Sequence, residues 1–134
     1  MVSKEFPIAS KPGEYLAFLV YLIPTLEGTG YFYYAVDAYS GFAIQLGMDK
    51  NDDPVTILKN IYLLTENPDF LQHKNKEFTL ILDEYEDLLE RIGTIINGVN
   101  GRILIDKSYH QYIIAPVLKS LGDFLEKGLN KKVD

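Results

Sequence analysis

A dense group of acidic residues follows a short apolar segment in the middle of the chain. Its members are Asp83, Glu84, Glu86 and Asp87. Carboxylates are the ligands that Mg²⁺ and Mn²⁺ prefer, and two such ions can drive phosphoryl transfer. Asp83 and Glu84, together with Asp37 from a neighbouring strand, are therefore a candidate metal site. The same acids also suit structural roles: Asp83 as a helix N-cap, its neighbours in a first helical turn, and Asp37 in a turn.

Other catalytic groups are scarce. His73 and His110 are the only histidines, and His110 stands between Tyr109 and Tyr112. A base or ligand role is open for His110, although a surface or half-buried position is the commoner case. The chain has no cysteine, which excludes disulfides and thiolate metal sites and suits a reducing compartment. Neither a nucleophile elbow nor a glycine-rich phosphate loop is present in the sequence.

Length and charge favour one globular domain that does not depend on nucleic acid. The 134 residues suit a single domain over 1–134, with loose termini expected at 1–14 and 129–134. The net charge of −6 counts against DNA or RNA as a partner. The longest apolar run, Leu16–Pro24, is too short to cross a bilayer, and the first residues carry no apolar leader. These features together indicate a cytoplasmic protein.

Hydrophobic periodicity predicts the elements that must position the acids. Strands are expected at Tyr15–Ile23, Tyr31–Val36, Phe42–Met48, Phe78–Leu82 and Arg102–Ile105, and helices at Pro54–Asn67, Tyr85–Ile96 and Pro116–Lys127. The short links between the first three strands predict an antiparallel meander. The later strands are joined through helices, which predicts parallel pairing. The order βββαβαβα thus predicts an α/β fold with a mixed five-stranded sheet and helices on both faces.

The meander carries a specific resemblance. The run Thr25-Leu26-Glu27-Gly28, the aromatic strand after it, and the turn Ala38-Tyr39-Ser40-Gly41-Phe42 resemble the catalytic core of retroviral integrases and DDE transposases. The resemblance covers about Tyr15 to Phe124, and it implies a ribonuclease H-like fold. It also implies three carboxylates that hold two metal ions: one on the first strand, one after the fourth strand and one on the last long helix.

Only one of those three carboxylates is found. Asp83 stands where the second is expected, but Glu84-Tyr85 follows it instead of the family's usual Asn-Gly. The first is expected at Leu22 or a neighbour, in a strand that has no acid. The third is expected within Ile113–Leu121, which has none either. The resemblance therefore implies a degenerate site in which Asp83 is vestigial, and leaves enzymatic activity uncertain, with a non-catalytic role favoured.

Three hypotheses follow. The first is a non-catalytic domain from a mobile-element lineage that acts through protein contacts as a homodimer, with no cofactor. Its expected interface consists of Tyr31, Tyr33, Tyr34, Leu121 and Phe124, because tyrosine is enriched at interfaces and integrase dimers use flanking helices. The second is a nuclease or polynucleotidyl transferase that binds Mg²⁺ or Mn²⁺ through Asp83, Asp37 and Glu84. The third is a small acidic inhibitor that binds a basic protein through Asp49–Asp53 and Glu84–Glu90.

Overall fold

A computed structural model describes residues 8–74 and 76–133 of the chain, excluding the side chains at 73 and 124–133. The strands are β1 (Tyr15–Thr25), β2 (Gly28–Asp37), β3 (Ala43–Asp49), β4 (Phe78–Leu82) and β5 (Gly101–Ile105), and the helices are α1 (Pro54–Glu66), α2 (Pro68–His73), α3 (Leu89–Asn97) and α4 (Lys107–Val133). A single 3₁₀ turn, Glu86–Leu88, precedes α3. The predicted α/β class and the order of strands and main helices are confirmed.

The five strands form one mixed sheet in the order β3-β2-β1-β4-β5. The pairs β1–β2 and β2–β3 are antiparallel, because each link is a tight turn. The pairs β1–β4 and β4–β5 are parallel, and each connection passes through a helix. A β-bulge on β3 opposite Tyr33 and Tyr34 shifts the register of the β2–β3 pair.

Helices cover both faces of this sheet. The first three helices pack on one face, where a core forms around Leu16, Phe18, Tyr33, Leu80 and Ile92. Helix α4 packs alone on the other face, where alternate residues of the same strands meet it. Because the central strands are covered on both sides, they read as nearly continuous apolar runs, as in buried sheets generally.

The last helix begins earlier than the sequence pattern predicted. It starts at Lys107, so Pro116 lies in its interior rather than at its first turn. Asp106 provides the start signal, because its carboxylate accepts a hydrogen bond from the Tyr109 N–H at 3.0 Å. Residues 129–133 belong to this helix, where a loose end was expected. Among the described helices, none is long and apolar enough to span a membrane.

Two further differences concern Asn67 and Tyr85. Asn67 ends α1 and also caps the extra helix α2, because its side chain accepts hydrogen bonds from the Asp69 and Phe70 N–H groups. Tyr85 adopts a left-handed conformation with φ of 79°, so the predicted helix Tyr85–Ile96 is interrupted and regular α-helix starts only at Leu89. The side chain of Asp83 caps neither the 3₁₀ turn nor α3.

Candidate functional site

The place where β1 and β4 separate is where the resemblance implies a metal site. The parallel pairing matches Leu16 with Leu80 and Ala17 with Ile81. When this register is continued, Leu19 lies beside Asp83. The β1 residue level with Asp83 in this continued register is Leu19, whereas Leu22, named from the resemblance, pairs with Tyr31 further along the hairpin. Leu19 is only 4% exposed and belongs to the core beneath α4.

The helix that should bring the third carboxylate to this place carries apolar residues there. The first turns of α4 lie over β1, where the Tyr109 ring meets the Tyr15 ring edge-on at 6.0 Å between centroids. Ile113 and Ile114 follow in the same buried cluster. The side chains of Leu19, Ile113 and Ile114 offer no oxygen atom to a metal ion, so these three positions add no carboxylate to Asp83.

His110 occupies the gap that opens between the two strands. Its Nε2 lies 2.6 Å from the carbonyl oxygen of Phe18, and the residue is only 3% exposed. The carbonyl of Glu14 accepts a hydrogen bond from the Thr79 N–H of β4. Successive carbonyls of a strand point alternately to its two neighbouring strands, so the carbonyl of Phe18, four residues later, also faces β4. The β1–β4 ladder ends before that carbonyl, and the imidazole supplies the missing donor. A carbonyl only accepts, so Nε2 carries the proton.

The burial of His110 was missed in the sequence, which favoured a surface or half-buried site. A signal for it was present. Tyr109, His110, Ile113, Ile114 and Val117 are spaced as one continuous helical stripe, and all five are buried against the sheet. A helix that starts at Pro116, as the sequence pattern predicts, leaves out Tyr109, His110, Ile113 and Ile114, so the prediction misses this part of the stripe.

Asp83 and Glu84 lie at the end of β4, beside the core on the face of the sheet opposite α4. Asp83 is half-buried and Glu84 is exposed. Burial, followed by the charges of these two residues, raises the pKa of the Tyr85 phenol above its ordinary value. The Tyr85 ring packs edge-on against Phe18 at 6.2 Å, on the face opposite α4. The two acids therefore border a half-buried tyrosine rather than a cluster of ligands.

Asp37 lies at the opposite end of the sheet and is a structural residue there. Its carboxylate accepts hydrogen bonds from the Gly13 N–H at 3.0 Å, the Ser40 N–H at 3.1 Å and the Ser40 hydroxyl at 2.6 Å. The Gly41 N–H donates to its backbone carbonyl, and Gly41 has a positive φ of 74°. The carboxylate thus joins the β2–β3 turn to the segment before β1.

The three carboxylates of the second hypothesis do not converge. Asp37 pairs with Leu16, which pairs with Leu80, so Asp83 lies two strands away and three residues further on. Strand spacings of about 4.8 Å and a rise of about 3.3 Å per residue put the Asp37 and Asp83 Cα atoms roughly 14 Å apart. In the part of the chain that the structure describes, no three histidine, aspartate or glutamate residues are grouped so that they could hold a metal ion.

The acids of the β3–α1 loop are largely engaged within the protein. Asp49 accepts hydrogen bonds from Lys59 Nζ at 3.2 Å and Asn60 Nδ2 at 3.1 Å. Asp53 caps α1 through the Thr56 N–H at 2.8 Å, and hydrogen bonds from Thr56 lower the Asp53 pKa. Two acids of this loop therefore hold the fold together, which leaves less charge for a basic partner than the sequence alone indicated.

The tyrosines of β2, which were expected at a dimer interface, are covered to different degrees within the fold. Tyr33 is 0% exposed in the core, where its hydroxyl donates to the Asn51 carbonyl at 2.9 Å. Tyr31 and Tyr34 are half-buried, one against each of the two cores. The prediction of Tyr33 as an interface residue is wrong. Strand β2 is paired along both edges and covered on both faces, so neither of its two alternating sets of side chains faces solvent at Tyr33.

The outer faces of α3 and α4, the helices that could flank a dimer interface, differ. The exposed residues of the 3₁₀ turn and α3 are all polar: Glu86, Asp87, Glu90, Arg91, Thr94 and Asn97. By contrast, α4 exposes Tyr112, Ala115 and Pro116 on one stripe, and Tyr112 is 67% exposed. This difference directs attention to α4 as a contact surface and away from α3.

A groove runs between this stripe and the β2–β3 turn. It has a volume of about 530 Å³, and it is lined by Asp37, Ala38, Gly41, Ala43, Tyr112, Ile113, Pro116, Val117, Ser120 and Leu121. Apolar side chains dominate its α4 wall. Leu121, one of the expected interface residues, is half-buried on this wall. The Phe124 side chain, expected beside it, lies outside the described side chains.

The comparisons with known proteins bear on the fold. No family model and no curated protein matches the chain. Among solved structures, a chain of the simian T-cell lymphotropic virus intasome in complex with PP2A regulatory subunit B56 gamma has a TM-score of 0.78 and 10% identity. That match covers 100% of this chain, which spans 47% of the length of the intasome chain. The similarity is one of fold, and it agrees with a ribonuclease H-like arrangement.

Proposed function

We propose that this chain is a non-catalytic domain of the integrase-core type, derived from a mobile element, that acts in the cytoplasm through protein contacts as a homodimer. The observation that carries the proposal is the packing at the β1–β4 junction. Leu19, Ile113 and His110 are buried there, and β1, with the sequence YLAFLVYLIPT, brings no carboxylate to Asp83. The fold-level likeness to an intasome chain supports the lineage.

Two-metal phosphoryl transfer is the activity that this packing opposes. Two divalent ions need several oxygen ligands and a few ångströms of open space between them. A leucine and an isoleucine offer no oxygen, and their burial leaves no room for hydrated ions or a phosphodiester. Asp83 cannot compensate alone, because Asp37 is engaged at the other end of the sheet.

The dimer is proposed to form through α4 and the adjoining groove. Tyr112, Ala115 and Pro116 give α4 an exposed apolar stripe, and the groove beside it continues that surface. Exposed apolar patches on a soluble domain commonly mark contact sites. A two-fold arrangement would set the stripe of each copy into the groove of the other, since one surface carries both parts. The polar outer face of α3 is not part of this interface.

Catalysis is tested by a thermal-unfolding titration with Mg²⁺ and Mn²⁺, beside the variant Asp83→Asn. A ligand that binds only the native state raises the unfolding midpoint by mass action. We expect no rise for either protein, and no cleavage or strand transfer with DNA. A metal-dependent rise in the parent that Asp83→Asn abolishes would overturn the non-catalytic assignment and support the rearranged metal site.

The dimer is tested by light scattering on a sizing column over a range of concentrations. We expect a dimer for the parent and a monomer for Tyr112→Lys, because the substitution places a charge in the contact. Val55→Lys is the matched control: Val55 is an equally exposed apolar residue on α1, away from the groove, and its variant should stay dimeric. A monomeric parent, or two variants that behave alike, would contradict the α4 interface.

A further inference from the structure

A second cavity lies on the other face of the sheet, between α2, the β2–β3 turn and the segment before β1. Its volume is about 310 Å³, at the lower end of the roughly 300–1,000 Å³ typical of small-molecule sites. Leu16, Ile44 and Phe70 form its floor and are nearly or fully buried. Phe42 stands at its rim and is 60% exposed. The cavity is therefore a concave site with apolar walls.

The polar groups of this cavity divide into engaged and unengaged ones. The Asp37 carboxylate holds Gly13 and Ser40, so its hydrogen-bonding capacity is largely used. Asp69 and Lys74 also line the cavity, and neither side chain has a hydrogen-bond or ion-pair partner among the described residues. Asp69 and Lys74 thus border the same apolar space without an ion pair between them, and the carboxylate of Asp37 is held by its own hydrogen bonds.

The two charges come from opposite ends of α2. Asp69 lies in its first turn and Lys74 is its C-terminal cap residue. Five residues of helix separate their backbones by about 7.5 Å along the axis. The lysine side chain is long and flexible, so its ammonium group can cover much of that distance. A ligand whose two charges lie close together can therefore reach both groups while its body enters the cavity.

We propose that this cavity binds a free α-amino acid with an apolar side chain. The ligand carboxylate pairs with Lys74, its ammonium group pairs with Asp69, and its side chain lies on Leu16, Ile44 and Phe70. Charge complementarity selects a zwitterion over a simple fatty or aromatic acid. Such an acid has no ammonium group to pair with Asp69, so its carboxylate would be repelled by the Asp69 carboxylate. This site and the α4 groove lie on opposite faces of the sheet and share only Asp37 among their lining residues, so the proposal does not depend on the dimer.

Three probes of one shape test the charge requirement. L-phenylalanine carries both charges, 3-phenylpropionate lacks the ammonium group, and 2-phenylethylamine lacks the carboxylate. Binding is followed by calorimetry and by chemical-shift changes at residues of the cavity. We expect L-phenylalanine to bind at least about tenfold more tightly than either analogue, the ratio that a charged hydrogen bond of about 1.4 kcal/mol gives. Equal affinities for the three probes, or binding by none of them, would overturn the proposal.

Variants of α2 test the residues themselves. Lys74→Gln and Asp69→Asn should each weaken L-phenylalanine binding about tenfold, and Lys74→Gln should leave binding of 2-phenylethylamine unchanged. Lys119→Gln, which changes an exposed lysine on the far side of the sheet, is the matched control and should bind like the parent. Unchanged affinity in both α2 variants would show that the two charges do not recognise the ligand. All variants are first checked for parental unfolding midpoints.

Discussion

The Nε2 atom of His110 lies 2.6 Å from the carbonyl oxygen of Phe18, buried between α4 and the sheet. This contact joins the helix to the strand at the point where β4 stops pairing with β1. A backbone carbonyl left without a donor in such a place costs free energy, so the imidazole replaces a ladder hydrogen bond. This junction of β1, β4 and α4 is thus closed by packing and by one hydrogen bond from a side chain.

Replacing His110 should therefore destabilise the fold. His110→Ala removes the donor to Phe18 and leaves a cavity under α4, so we expect a loss of about 2–4 kcal/mol in the free energy of unfolding. Urea denaturation measures the change. Gln111→Ala, at the exposed neighbouring position, is the control and should change it by less than about 0.5 kcal/mol. Equal effects of the two substitutions would mean that the contact carries no stability.

Removing the carboxylate of Asp37 should have a comparable cost. Asp37→Ala takes away the acceptor for one hydroxyl and two N–H groups at 2.6–3.1 Å, and we expect a loss of about 2–3 kcal/mol. Asp37→Asn should cost less, since an amide oxygen can still accept. Asp123→Ala, at an exposed site on α4, is the control. If Asp37 served a metal instead, its removal would stabilise the apo protein by relieving repulsion.

The sequence predicts the sheet well because strands and short links obey local rules. Phe78–Leu82 was predicted with its observed limits, and Pro54 and Asp53 marked the start of α1 correctly. Apolar runs and turn residues carry these signals within a few positions. The limits of β1 and β2 extend further only because the hairpin pairs up to its Leu-Glu turn.

The errors have one common cause, which is dependence on distant partners. Pro116 is tolerated inside α4, and Tyr85 is held in a left-handed conformation beside Phe18; neither can be read from neighbouring residues. Tyr33 is in the core because the helices packed on its face of the sheet cover it. Which strand residue faces Asp83 depends on the β1–β4 register, and a single sequence does not reveal pairing between segments about 60 residues apart.

Alkaline pH should weaken the fold through its buried phenols. Burial, followed by the charges of Asp52, Asp49 and Asp53, raises the pKa of Tyr33 above its ordinary value of 10.0. Burial also raises the pKa of Tyr109 to about 12. A raised pKa in the native state gives stability that is fully present below pH 10. That stability is lost as the pH rises through the native pKa, by up to about 1.4 kcal/mol per pH unit for each phenol.

The variant Tyr33→Phe separates this effect from packing. At pH 7 it should be less stable than the parent by about 1 kcal/mol, because the hydrogen bond to the Asn51 carbonyl is lost. Above pH 10 the difference should shrink and then change sign, since phenylalanine does not ionise. Urea denaturation at pH 7, 10 and 11 measures it. Tyr39→Phe, at an exposed tyrosine, should show no such crossing. If the difference in unfolding free energy between Tyr33→Phe and the parent stayed constant across pH, the raised pKa of Tyr33 would be contradicted.

The close approach of β3 to α1 depends on Gly47. A Cβ atom built on this glycine would lie 2.6 Å from Asn60 Oδ1, which is shorter than any normal contact. Asn60 is fully buried and held in place, because its Nδ2 donates to Asp49 Oδ2 at 3.1 Å and to the Thr56 carbonyl at 2.9 Å. Its Oδ1 has no hydrogen-bond partner in the described structure, and it lies so close to Gly47 that there is no space for a Cβ atom.

A double-mutant cycle tests this pair. Gly47→Ala alone should cost about 1–3 kcal/mol through overpacking, and Asn60→Ala alone should cost a similar amount through its lost hydrogen bonds. In the Asn60→Ala background the clash is gone, and the added methyl group should then be neutral or slightly stabilising, because alanine restricts the unfolded chain. The two substitutions should therefore couple by at least about 1 kcal/mol in urea denaturation.

Gly93→Ala is the matched control for that cycle. A Cβ atom at Gly93 would meet only Ile103 Cδ1 at 3.6 Å, an ordinary contact, and alanine favours the helix there. It should be neutral or stabilising, and it should add to Asn60→Ala without coupling. If Gly47→Ala were as harmless as Gly93→Ala in the parent, Asn60 would have to move easily. Its two hydrogen bonds would then contribute little to joining α1 to β3.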